Sequence, residues 1–355
     1  MKLISQNKYH QEHNTAFFSG SYNGTKDCIK NSDFVICDHN VYFLHKELID
    51  NKDYFLLKGE EDKNFSVVEI LCEEMMKSSL SRKSTVACIG GGSVLDTAGL
   101  ACSMYHRGLK ALFFPTTVLA VCDASIGGKN AVNLSNRKNM AGSWYFPEKI
   151  IFYPGFLKTL PAIQHMEGFI ETIKHGLLEN EDLLKNINAF LKQNYPGEND
   201  PVTINDSYLN ILIQSALYKI KITSEDPFEK GNRLRLNAGH TIGHALETSA
   251  GLSHGRAVAI GLIIEHSILK ELTGKDIFLP SNFFPESLFK DLALPDPYTI
   301  LQHAISDKKN LNTCLRFSSP SYVSPDPILE ASEDLVLRKI MEFQNDLPQW
   351  QRKHP

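Results

Sequence analysis

Nowhere in the chain do about eighteen apolar residues run together, so no segment reads as a membrane-spanning helix. The N-terminal MKLISQNKYHQEHN lacks an apolar core of signal-peptide length, and the expected location is cytoplasmic. Cysteines are few and scattered. Cys28, Cys37, Cys72, Cys88, Cys102, Cys122 and Cys314 fall singly, with no CxxC pair, which argues against both a disulfide framework and a thiolate zinc site. They read as reduced, buried, small hydrophobic residues. Basic tracts are missing as well: 37 Lys and Arg stand against 41 Asp and Glu, the net charge is -4, and the cations are dispersed. Neither nucleic acid nor a membrane surface is expected as a partner. There is no internal repeat, no low-complexity tract and no HExxH motif, which excludes the common zinc-protease pattern.

What is present is ample for a packed interior. The 355 residues exceed the usual size of one domain, and a hydrophobic share of 42% suits a globular core. The first half alternates short apolar runs with helical patterns, as a parallel α/β sheet does. Strands are expected at Phe34–Cys37, Tyr54–Leu57, Thr85–Ile89 and Ala111–Phe114, and helices at Phe65–Lys77 and Val94–Tyr105. Beyond Pro154 helical spacing dominates, at Tyr208–Lys221, Ala238–Thr248, Ala257–Leu272 and Leu335–Phe343. Prolines around 154–161 mark a boundary, giving an α/β domain over 1–157 and a mainly α-helical domain over 158–355. Residues 1–30 and 320–355 carry no functional signal.

Three groups of residues could carry chemistry. Gly90-Gly91-Gly92-Ser93 follows an apolar strand and opens a helix, where glycines admit a pyrophosphate and free N–H groups face it; a tight strand-to-helix turn explains the same residues. Thr116 and Thr117 follow the next strand. Asp38 and Asn40 end another, as ribose contacts or as turn formers. The second group is His240 and His244, four apart on one helical face, with Gly239 and Gly243 expected to leave that face open, and His254 a short loop later. Two imidazoles and a carboxylate would make a catalytic metal site with one open position, whereas satisfied core histidines would show the same spacing. Glu171, one turn before Lys174, is one candidate acid among many. The third group is cationic: Lys129, Lys138 with Asn139, Lys219, Arg233, and Lys308 with Lys309. Lys129 and Lys138 are expected in loops, where side chains can converge on an anion.

Longer blocks resemble the 3-dehydroquinate synthase family, within the sugar phosphate cyclases. They are GGGSVLDTAG from Gly90, RG at Arg107, PTTVLAVCDASIGGKNAVN from Pro115, RKNMAG from Arg137, EGFIETIKHGL from Glu167, LNAGHTIGHALE ending at Glu247, and SHGRAVAIGL from Ser253. DHNV from Asp38 and KGEEDK from Lys58 belong with them. The resemblance implies a dehydroquinate synthase-like fold, a nucleotide-binding α/β domain followed by a helical metal domain, with the active site between them. It implies Glu171, His240 and His254 as ligands of zinc, with cobalt as the alternative. Asp38, Asn40, Glu60, Lys63, Gly91, Gly92, Asp96, Thr116 and Thr117 would hold NAD. Asp123, Lys129, Lys138, Asn139, Lys174, Lys219, Arg233, Asn237 and His244 would line the substrate site. Arg107 would reach a neighbouring subunit's site, implying a homodimer.

The implied reaction turns a phosphorylated keto acid, 3-deoxy-arabino-heptulosonate 7-phosphate, into 3-dehydroquinate and phosphate in the shikimate route to aromatic amino acids. NAD would oxidise the C5 hydroxyl, phosphate would leave by elimination, the hydride would return, and an aldol closure would form the ring. Three residues depart from the family's pattern: Arg256 where Glu is usual, Asn130 where Thr is usual, and Phe146 in place of a polar residue. Arg256 would face solvent, pair with an acid, or alter substrate or metal. Competing readings are another sugar phosphate cyclase, whose substrate would lack the carboxylate, a metal-dependent polyol dehydrogenase, which would bind no phosphate ester, and a non-catalytic relative.

Overall fold

The computed structural model describes every residue except 11–12, 50–52, 136, 180, 195–201, 276–278, 280–282, 285–287, 307–313 and 352–355. The chain divides into two compact units, one made of Met1–His165 with Ile204–Pro227, the other of Met166–Thr203 with Phe228–Pro355. Lys308 and Lys309 lie outside the described residues. Among the described residues no helix is long and apolar enough to cross a membrane.

The first unit opens with β1 (Lys2–His10), β2 (His13–Ser19), α1 (Tyr22–Lys30), β3 (Phe34–Asp38), α2 (His39–Leu44), β4 (Tyr54–Leu57) and α3 (Phe65–Lys77). It continues through β5 (Thr85–Gly90), α4 (Gly92–Met104), β6 (Lys110–Pro115), the hairpin of β7 (Lys129–Leu134) and β8 (Arg137–Trp144), and β9 (Lys149–Phe152). Seven strands form one sheet in the order β1-β2-β9-β6-β5-β3-β4, parallel except for the β1–β2 pair. The four expected strands are all in it. β9 is four residues long, too short to show a period, and β1 is polar because it lies at the sheet's edge.

Alternation along the strands sorts side chains between the two faces. Val35, Cys37, Ala87, Ile89, Leu112, Phe114 and Ile151 share one apolar cluster with Ile29 and Phe156. On α4, Val94, Leu95, Ala98, Leu100, Ala101 and Cys102 are all buried, so this helix is enclosed over most of its circumference. The register matters most for function. Cys37 faces Ile89, Asp38 faces Leu57, and Gly90 faces Pro115, so the segments after β3, β4, β5 and β6 leave the sheet at one edge. The chain order reverses between β3 and β5, with β4 on one side and β6 on the other. Such a switch point at the carboxyl ends of parallel strands is where open α/β sheets bind ligands.

The second unit takes α5 (Ala162–Glu179) from Met166 onward and α6 (Glu181–Asn194). The next helix, α7 (Asp206–Glu225), groups with the first unit. Then follow α8 (His240–Ala250), α9 (His254–Thr273), α10 (Pro297–Ile305), the two-stranded antiparallel sheet of β10 (Cys314–Ser318) and β11 (Ile328–Ser332), and α11 (Glu333–Trp350). Three of the four helical segments expected in this half of the chain lie inside these helices; the fourth, Ala238–Thr248, starts two residues before α8, because Ala238 closes the turn Asn232–Asn237 and Gly239 is the left-handed N-cap. α8 and α9 meet most intimately, and glycines permit it. A Cβ on Gly239 would lie 2.7 Å from Leu262 Cγ, and one on Gly261 would overlap the Gly239 carbonyl oxygen.

Candidate active site

Gly90, Gly91 and Gly92 and their neighbours gather at the carboxyl edge of the sheet. α4 has Gly91 as its N-cap and so no side-chain cap, whereas α1, α2 and α3 are capped by Ser21, Asp38 and Asn64. Uncapped N–H groups at a helix N-terminus suit an anionic group. The backbone packs tightly there: a Cβ on Gly92 would lie 3.0 Å from Ala124 Cβ, and one on Gly91 would lie 3.1 Å from Thr117 Cγ2. Thr116 is buried, its N–H bonded to Gly90 O at 3.0 Å, and Thr117 Oγ1 accepts from Ala120 N at 3.1 Å. Asp38 caps α2, accepting from the N–H groups of Asn40 at 2.9 Å and Val41 at 3.2 Å, while Asn40 is exposed.

A polar network adjoins this edge. Lys63, buried, pairs with Asp96 at 2.7 Å. Burial raises the Asp96 carboxyl to about 6 against the opposing pull of Lys63. Glu60 accepts from Ser93 Oγ and, at 2.8 Å, from Asn133 Nδ2. Burial works against its charge, but these bonds with Lys63 and Lys138 hold its carboxyl below the ordinary value.

In the second unit the structure brings Glu171, His240 and His254 together, one ligand atom from each lying within 4.8 Å of the others. Glu171 comes from α5, His240 opens α8 and His254 opens α9. A Cβ on Gly255 would lie 2.5 Å from Glu167 Cα, so the starts of α9 and α5 touch, and Glu171 sits one turn further along. The expectation that Gly239 and Gly243 leave the histidine face open is wrong. Their missing side chains let α8 press against α9, where a Cβ on Gly243 would meet Ala257 O at 3.3 Å.

The tautomers follow from the partners. His240 Nδ1 faces Ala238 O at 3.1 Å and His254 Nδ1 faces Glu247 Oε1 at 2.8 Å, so each Nδ1 carries the hydrogen. Each Nε2 turns toward Glu171 Oε1, at 3.7 and 3.5 Å respectively. Both carboxylate oxygens of Glu171 are buried without a hydrogen-bond partner, although Oε2 is ion-paired with Lys174. Burial alone would raise this carboxyl; the Lys174 ammonium and the two imidazoles outweigh it and hold it well below the usual range. Burial and Lys174 push His240 well down. For His254 burial is outweighed by its carboxylate neighbours Glu171 and Glu247, which push it up to about 10. Once the His254 proton is displaced, two imidazole nitrogens and the buried Glu171 carboxylate form a donor set that fits a divalent cation with a coordination position to spare. Glu247 was not singled out in the sequence. It pairs with His254 Nδ1, the arrangement a carboxylate takes behind a histidine that can ligate a metal, and its only sequence signal is its place seven residues before His254.

The remaining site candidates are spread over several elements. Lys219, in α7, donates to Asp123 O at 2.7 Å and to Asp123 Oδ1 at 2.5 Å. Asn237 Nδ2 donates to Glu229 Oε1 at 2.7 Å, and Arg233 is buried in the same turn, Asn232–Asn237. Glu229 holds a left-handed φ of 57°, a second site-adjacent acid that sequence reasoning passed over. His244 lies near His240, ring centroids 5.3 Å apart, but outside the three-residue cluster. Lys129 and Lys138 are in strands, not loops. They belong to the β7–β8 hairpin, whose polar residues hide its period, and Lys129 Nζ sits 5.8 Å from the Trp144 ring centroid. Asn139, beside Lys138, has φ 55° and bonds through its N–H to Asn133 Oδ1 at 3.0 Å. Arg107 is exposed in a turn where His106 and Arg107 both have positive φ.

The three departures have local explanations. Asn130 is buried and its Nδ2 donates to Gly128 O at 3.0 Å and Tyr145 O at 2.8 Å, closing the base of the hairpin. Phe146 covers Gly128, where a Cβ would lie 2.5 Å from the ring. Arg256 donates to Leu288 O at 2.9 Å and Lys290 O at 2.8 Å, and its charge acts on Glu167.

Residues 53–167 match the family model for the 3-dehydroquinate synthase N-terminal region, and residues 168–310 match that for the C-terminal region. A 3-dehydroquinate synthase of Clostridium tetani is 32% identical over 327 residues, 88% of this chain and 86% of that protein. In fold, the chain is similar to 2-deoxy-scyllo-inosose synthase solved with carbaglucose-6-phosphate, NAD+ and Co2+, with TM-score 0.80, 24% identity and coverage of 95% and 99% of the two chains. It is also similar to 2-epi-5-epi-valiolone synthase from Streptomyces hygroscopicus subsp. jinggangensis, solved with NAD+ and Zn2+, with TM-score 0.76, 20% identity and coverage of 96% and 98%. Taken with the two family matches that together span most of its length, these likenesses establish that the chain belongs to the 3-dehydroquinate synthase family.

Proposed function

We propose that this chain is a cytoplasmic lyase that converts 3-deoxy-arabino-heptulosonate 7-phosphate to 3-dehydroquinate and phosphate, with NAD regenerated in each turnover and one divalent metal, zinc or alternatively cobalt. The observation that carries the reading is the meeting of Glu171, His240 and His254, with Lys174 on the same carboxylate. The relatives solved with NAD+ and Co2+ or Zn2+ support the choice of cofactors.

When bound, NAD supplies a hydride acceptor and the metal supplies Lewis-acid polarisation of a substrate hydroxyl. The chain's own residues do the rest. Ala238 O and Glu247 hold the two Nδ1 hydrogens, keeping each Nε2 lone pair inward. Lys174 keeps Glu171 ionised despite its burial. The open N-terminus of α4, with Asp96, Lys63, Glu60, Asp38, Asn40 and the two threonines, would hold the dinucleotide. Arg233 suits a two-pronged grip on the substrate carboxylate, helped by Asn237 and by Lys219, which Asp123 steadies. Lys129, Lys138, Asn139, His244 and, from a second copy of the chain in a homodimer, Arg107 would take the phosphate.

A sugar phosphate lacking the carboxylate would have no use for Arg233 and Lys219, and a polyol dehydrogenase would have none for the phosphate-binding set. The test is to incubate the purified protein with the heptulosonate phosphate, NAD and zinc. Phosphate release without net NADH is expected; accumulation of NADH without phosphate would assign a dehydrogenase instead. Full activity after chelation would sink the metal assignment.

A further inference from the structure

The start of α8 is held by a group that no local pattern in the sequence would suggest. Its N-cap is Gly239, in a left-handed conformation with φ 78°, and it offers no side chain to the helix. None could be accommodated, since a Cβ there would meet Leu262 Cγ at 2.7 Å and Val258 O at 3.0 Å. Five other helices are capped from within: Ser21, Asp38, Asn64, Asn205 and Asp296 each accept from N–H groups of the helix they precede. At α8 the acceptor is Glu265, about three turns into α9. Its Oε2 accepts from Gly239 N at 2.7 Å and its Oε1 from Ile242 N at 3.0 Å. These are the two N–H groups that a capping box satisfies with two local side chains, here served by one carboxylate from another helix.

Glu265 is 1% exposed. Taking a carboxylate out of water costs more than an ordinary helix cap returns, so capping alone is a poor account of it. The two helices that it joins are those that open with His240 and His254. We propose that Glu265 is a positioning residue: by tying the first turn of α8 to α9 it sets the separation of the two imidazoles across Glu171. This rests on the metal reading of those three residues and adds to it a determinant of metal affinity that acts through the backbone of α8.

The test uses full-length protein stripped of metal. Zinc affinity is measured by competition with a chromophoric chelator, and cobalt is titrated while its visible absorption, which reports ligand geometry, is recorded. Glu265→Gln keeps the size of the side chain but presents an amide NH2 to one of the two N–H groups, and it should weaken zinc binding about 10-fold and change the cobalt spectrum. Glu265→Asp, which keeps the charge on a shorter arm, should recover part of the affinity and serves also if the Gln variant does not fold. Lower thermal stability with wild-type zinc affinity and an unchanged cobalt spectrum would reduce Glu265 to a structural cap and overturn the proposal. His240→Ala separates the two claims: if it leaves zinc binding intact, the metal reading itself fails, whereas its loss alongside normal binding by both Glu265 variants refutes only the positioning role.

Discussion

Acidification through the histidine range should weaken the second unit from within, because His266 has nowhere to put a second proton. The ring lies in α9 at 5% exposure. Its Nδ1 must donate, since its partner at 2.6 Å is the Leu262 carbonyl, and its Nε2 is buried without a hydrogen-bond partner. Protonation would create a charge and an N–H facing neither water nor an acceptor, and burial accordingly pushes the pKa from 6.5 down to about 4. The sign follows from linkage. The folded pKa is depressed, so the unfolded chain takes up a proton that the folded chain refuses; the contribution is complete above about pH 6.5 and is lost as the pH falls toward 4. A shift of roughly 2.5 units at about 1.36 kcal/mol each amounts to about 3 kcal/mol. Urea unfolding of the wild type and of His266→Met, at several pH values across this window, isolates the term, because the other titrating groups are common to both proteins. The wild type should lose about 3 kcal/mol more than the variant between those limits. Parallel stability curves, or an NMR titration placing the His266 imidazole near its ordinary pKa, would refute the reasoning.

Two further outcomes are expected. Glu247→Ala removes the acceptor that fixes the His254 tautomer at 2.8 Å, and it should weaken zinc binding by about 10–100-fold in a chelator competition while leaving NAD binding unchanged. Arg235 is buried and its guanidinium donates to the carbonyls of Ser319, Ser324, Pro325 and Asp326, so Arg235→Met strands several acceptors at once. It should cost on the order of 2–4 kcal/mol in urea unfolding, and because Arg233 and Asn237 share its turn, substrate binding should weaken more than NAD binding.

The parallel strands and their helices between Phe34 and Pro115 were legible because each apolar run is bounded by turn residues and shows a single period. The hairpin that carries Lys129 and Lys138 was not, since its strands are mostly polar and half-exposed and read as loops. Gly239 and Gly243 were visible as glycines, but whether a glycine opens a face or lets another helix close upon it depends on the neighbour, here α9. Spacing along one helix paired His240 with His244; it is the crossing of three helices that pairs His240 with His254 and Glu171 instead.

From its residues alone the chain determines the four parallel strands between Phe34 and Pro115, the strongly periodic helices and which functional groups are on hand, because periodicity and side-chain chemistry are local properties. Spacing and composition do not decide which of the many acids share a site; the tertiary structure does. Glu171 lies 69 residues from His240 in the chain yet shares its site; Glu247 steadies His254, and Glu265 reaches back 26 residues to cap Gly239. A carboxylate is selected by what it faces once water is excluded, and that is set by packing between elements, on which a linear pattern is silent.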